Sequence, residues 1–144
     1  MKKFEFRLDS VLRWRDTQFQ VERGKLNALL ADEAKLKQSL EALGGERRSA
    51  LECLAKEQQA VAIDLRSLSS YLMGAEARTT LLREQIQRRC QSVAEQRDRV
   101  VQAERNVKLL LKLREKRQFE WKAGLERQIE ANAEESWLAV NFRR

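Results

Sequence analysis

The chain has 144 residues, with no Pro, five Gly, 6% aromatic, 35% charged and 42% apolar residues. This composition excludes an ordinary globular core and fits long helices, because each interior Pro would cost about 3 kcal/mol and none is present. The 29 Lys+Arg against 22 Asp+Glu give a formal charge of +7, with both signs interleaved as on solvated helix faces.

The first element announces itself after Phe4-Glu5-Phe6, where Asp9 or Ser10 is the expected N-cap. Alternate steps of four and three from Leu8 reach Leu12, Arg15, Phe19, Glu22, Leu26, Leu29, Glu33, Leu36, Leu40, Leu43, Arg47, Ala50, Leu54, Glu57 and Val61. Eleven of these sixteen positions are apolar. Spacing of 3.5 residues sustained over so many heptads predicts a coiled-coil helix over about 8–58. Within it, Gly44-Gly45 predicts a kink or local irregularity; the alternative is that this pair forms the hairpin tip. The heptad phase runs unbroken from Leu43 to Leu54, which favours the kink.

A turn is expected over about 59–63, and a second helix over about 64–138 with Asp64 as its N-cap. Its stripe runs Leu65, Leu68, Leu72, Ala75, Thr79, Leu82, Ile86, Arg89, Val93, Gln96, Val100, Ala103, Val107 and Leu110, and revives at Trp121 and Leu125. Two striped helices joined by a short connection predict an all-α fold, a long two-helix antiparallel coiled-coil hairpin spanning 1–144 as a single rod. The closing residues Trp137 to Arg144 are expected to fray.

The chemistry of the side chains points away from catalysis. Histidine is absent, so the common general base and the usual metal ligand are both missing. Cys53 and Cys90 have no ligand spacing and fall at different levels of the expected hairpin, so both should be free thiols, as in a reducing compartment. No glycine-rich phosphate loop is present. No catalytic, cofactor-binding or metal site is expected, and no small-molecule substrate. The N-terminal segment lacks a signal-peptide core and no stretch reaches the ~20 apolar residues of a membrane span, so a cytoplasmic chain is expected.

Interaction surfaces are expected instead. Trp14 and Phe19 near the start, with Trp121 near the finish, come to one end of an antiparallel hairpin. Their bland role is packing of the termini on one another; their sharper role is docking. Nearby, Lys108, Lys112, Arg114, Lys116 and Arg117 surround more leucines than one seam can cover. Leu68, Tyr71 and Leu72 form an apolar cluster toward the other end, either as simple closure or as a second docking site. Polar seam residues such as Arg15, Glu22, Glu33, Arg47, Arg89 and Gln96 are expected to fix register; the alternative is that these weak points let the rod bend or open to engage a partner.

Three stretches, in order, resemble the flagellar export stalk proteins of type III secretion, the FliJ family. They are Phe4 to Arg15, the pattern Ser70-Tyr71-Leu72 with Leu81-Leu82 and Ile86, and Leu113 to Arg117 followed by Trp121. The resemblance implies a non-enzymatic stalk, cytoplasmic and peripheral at the inner face of the membrane export apparatus. It implies three partners: the export ATPase hexamer, met by the end carrying both termini with the basic stretch Lys108 to Arg117 and the aromatic ends as candidates; the export gate's large membrane subunit, met near Tyr71 and Leu72; and export chaperones. The Gly44-Gly45 pair departs from the family pattern. The alternative is a basic coiled coil that binds nucleic acid or acts as a homodimeric scaffold, although glutamates dilute the basic face and no nucleic-acid-binding module is present.

Overall fold

A computed structural model describes residues 2–56 and 62–143. The chain is all-α: helix α1, Asp9–Lys56, and helix α2, Ala62–Asn141, pack against each other as a hairpin. The expected turn over about 59–63 lies largely outside the described residues. None of the helices is long and apolar enough to cross a membrane, among the described residues.

The packing follows the stripes. Every described stripe position of α1 after Leu8 is buried or half-buried, from Leu12 to Leu54. On α2 the same holds from Leu68 to Leu110, with Arg89 the one exception. Leu12, Leu43, Ala75, Val93 and Val107 are the most enclosed apolar residues. No large side chain among the described residues is completely buried. Two helices provide a seam one residue deep, so each truncation there removes fewer contacts than it would in a globule.

The contacts group into two units, 1–20 with 101–144, and 21–100. In the second unit Gln96 meets Glu22 and Cys90 meets Glu33, so α1 numbers rise as α2 numbers fall. That is antiparallel pairing. In the first unit, Phe4 packs on Trp121 with ring centroids 6.0 Å apart. From Glu126 to Arg143 every residue of this unit is exposed.

Several local expectations are corrected. Asp9 does not cap α1. The Leu8 carbonyl already accepts the Leu12 N–H at 2.8 Å, which puts Asp9 in the first turn. There its carboxylate pairs with Arg13 at 3.0 Å and still suits the positive helix end. Asp64 likewise stands inside α2, which has begun by Ala62. The tail does not fray at Trp137, since α2 continues to Asn141 and the Phe142 N–H reaches the Leu138 carbonyl at 2.8 Å.

The Gly44-Gly45 pair is not the hairpin tip. Helix α1 runs through it, and neither residue has positive φ. A methyl group at either position would meet nothing within 4 Å. Each glycine therefore only adds freedom to the unfolded chain. Gly44→Ala and Gly45→Ala should each raise stability by about 1 kcal/mol, read as a higher urea midpoint with an unchanged slope. A lower midpoint would mean that the pair is needed as a break.

Candidate functional site

The predicted surface residues divide between the two units. Trp14, Phe19, Lys108, Lys112, Arg114, Lys116, Arg117 and Trp121 belong to the first, and Leu68, Tyr71 and Leu72 to the second.

In the first unit the aromatic contact that forms is not the expected one. Trp14 falls between the stripe positions Leu12 and Arg15, so it faces outward and is 54% exposed. The Arg15 guanidinium covers its ring at 4.8 Å. Phe19 lies half-buried on the seam. The partner of Trp121 is Phe4, from the segment that precedes α1. Periodicity could not place Phe4, because that segment is not helical; the aromatic-polar-aromatic run of Phe4-Glu5-Phe6 was the available signal. The segment lies along α2 and forms a groove of about 700 Å³. Phe4, Leu8, Leu113 and Trp121 supply apolar walls, while Lys2, Lys3, Arg7 and Arg117 outnumber the carboxylate of Glu5 in its lining. Such a groove suits a partner that presents an apolar side chain flanked by carboxylates.

The basic stretch of α2 is solvent-facing. Lys108 pairs with Glu104 at 3.0 Å and Arg117 with Glu120 at 3.5 Å, both along the helix. Exposed pairs of this kind hold their partners weakly, so the cations stay available. Lys112, Arg114 and Lys116 are exposed.

In the second unit Leu68 and Leu72 are half-buried on the seam, where they close the helix pair. Tyr71, 39% exposed, and Met73, 71% exposed, flank Leu72 and turn outward. The cluster thus divides into two seam leucines and an outward Tyr-Met pair.

The polar seam residues also sort themselves. Gln96, 5% exposed, donates to the Glu22 carbonyl at 3.0 Å and to the Glu22 carboxylate. Glu33 accepts from the Cys90 thiol at 3.4 Å and pairs with Lys37 at 2.7 Å. Thr79 returns its hydroxyl to the Ala75 carbonyl at 2.8 Å. The Thr79 and Lys37 contacts stay within one helix, but the Gln96–Glu22 and Cys90–Glu33 bonds cross between helices and exist in one register only, which suits the register role. Arg89 is corrected: its long stem carries it out of the seam, and it lines a shallow groove with Gln85 and Arg88. Both cysteines are free and exposed.

No protein-family model, no curated protein and no solved structure matches the chain.

Titration follows from the seam geometry. The Gln96 amide holds the Glu22 carboxyl below its ordinary range against the opposing effect of burial, with Lys25 assisting. Lys37, then the Cys90 thiol, does the same for Glu33. Both groups bind protons less readily folded than unfolded, so their stabilisation is complete above the ordinary value near pH ~4.3 and is lost as pH falls below it. Unfolding midpoints should therefore hold from neutral pH down to that range and drop below it, and Glu22→Gln should flatten that drop. An equal drop in the variant would remove Glu22 from the account.

Proposed function

We propose that the chain is the coiled-coil stalk of a flagellar type III protein export apparatus, non-enzymatic and peripheral at the inner face of the membrane. It would couple the export ATPase ring to the gate's membrane subunit and to export chaperones. The reading rests on the order of the three resembling stretches along the chain. The observation that supports it most is that two of them meet: Phe4, from the opening stretch, packs on Trp121, which closes the last one. The middle stretch, with the outward Tyr71, falls in the other unit.

In this reading the groove of Lys2, Lys3, Arg7 and Arg117, with the neighbouring Arg114, meets carboxylates of the ATPase ring. Tyr71 offers a rigid amphipathic anchor to the gate. The seam does not compete for partners, because its apolar stripes are covered within the chain. Mixed with the export ATPase and a non-hydrolysable nucleotide, the chain should co-elute with the assembled ring. Elution of chain and ring as separate species at every concentration would remove the reading.

A further inference from the structure

The outer face of α2 carries a charge pattern whose acidic half the export reading does not use. Lys108, Lys112 and Lys116 stand four residues apart, and so do Glu126, Glu130 and Glu134. Each glutamate follows a lysine by eighteen residues, five turns of about 3.6, so all six lie on one stripe. The stripe points away from α1, and all six are exposed. Phe119 and Trp137 also stand eighteen residues apart on this face and are 73% and 64% exposed. Lys108 reaches only its helix neighbour Glu104, and none of the three glutamates forms an ion pair among the described residues.

We propose that this face of α2 pairs antiparallel with the same face of a second copy. Reversing the helix on itself brings Glu126 onto Lys116, Glu130 onto Lys112 and Glu134 onto Lys108 in a single register. The interface is isologous, so each pair occurs twice about a two-fold axis near residue 121. The same register sets Trp137 against Arg105, a cation–π arrangement, and Phe119 against the small Ala123. Parallel pairing would set lysine on lysine. A membrane or nucleic acid would satisfy the basic half and repel the acidic half, and an acidic protein would leave the glutamates alone. A surface with both signs in mirror order is complementary to itself. The inference does not depend on the export reading. If both hold, the dimer is a state in which the lysines beside the ring-contacting groove are covered.

Sedimentation of the purified chain tests it without any export component. A species of twice the 16.9 kDa chain mass should form at low salt and dissociate near 1 M salt, where the Debye length is about 3 Å. The triple variant Glu126→Lys, Glu130→Lys, Glu134→Lys should associate at least tenfold more weakly, and so should Lys108→Glu, Lys112→Glu, Lys116→Glu. Circular dichroism would check that both keep their helices. Mixing the two variants should restore a dimer, since every lysine of one copy then faces a glutamate of the other. A monomer at all concentrations, a wild-type dimer untouched by either reversal, or variants that stay apart on mixing would overturn the proposal. So would a monomer that sediments with phosphatidylglycerol vesicles, which would assign the face to a membrane.

Discussion

Val93→Asp should cost about 3 kcal/mol or more and lower the urea midpoint accordingly, the largest effect expected of any single substitution in the seam. Val93 is 4% exposed and lies three residues from Gln96, so a carboxylate there would be stripped of water inside the seam. The control is Met73→Asp. Met73 is 71% exposed, and its replacement should stay within about 0.5 kcal/mol. The contrast matters because the seam is thin. In a globule many layers would share the damage; here a single charged residue opens the helix pair locally. Equal effects of the two variants would mean that the stripes do not carry the fold.

The second large effect concerns partners. In the proposed stalk, Arg114→Glu with Arg117→Glu should weaken association with the export ATPase at least tenfold, which is about 1.4 kcal/mol. Arg117 lines the groove beside Leu113 and Trp121, and Arg114 is exposed one turn earlier. Reversal converts attraction to repulsion without touching the seam, so helicity and unfolding midpoint should hold. Tyr71→Ala should leave ATPase association unchanged and weaken contact with the gate subunit. Loss of both contacts in either variant would contradict a division of labour between the two units. These arginines lie off the lysine–glutamate stripe, so the double reversal should not change self-association.

Much of the fold was legible because a 3.5-residue period is redundant. Sixteen positions on one stripe and fourteen on the other outvote a polar interruption, and Gln96 and Glu22 were correctly placed in the seam although neither is apolar. Helix ends were less legible. Asp9 has the chemistry of a cap, but the Leu8 carbonyl already begins the ladder, and only backbone geometry decides between neighbours. Arg89 was misplaced because periodicity fixes where a side chain starts and not where a four-atom stem ends. Gly44-Gly45 was ambiguous because propensity opposes a helix there while phase supports it; the packing of Leu43 and Arg47 on either side favours phase. Of the candidate surfaces, the basic stretch and Tyr71 were legible as exposed residues. Trp14 was not distinguished from Phe4, since an aromatic off the stripe faces out while one ahead of the helix is free to fold back.

The steady-state hydrolysis rate of the export ATPase, titrated with the purified chain, tests the coupling role most directly. A rate that climbs to a plateau, with the half-point moved at least tenfold higher by the Arg114 and Arg117 reversal, is the predicted result. A rate that stays flat up to saturating chain would contradict it.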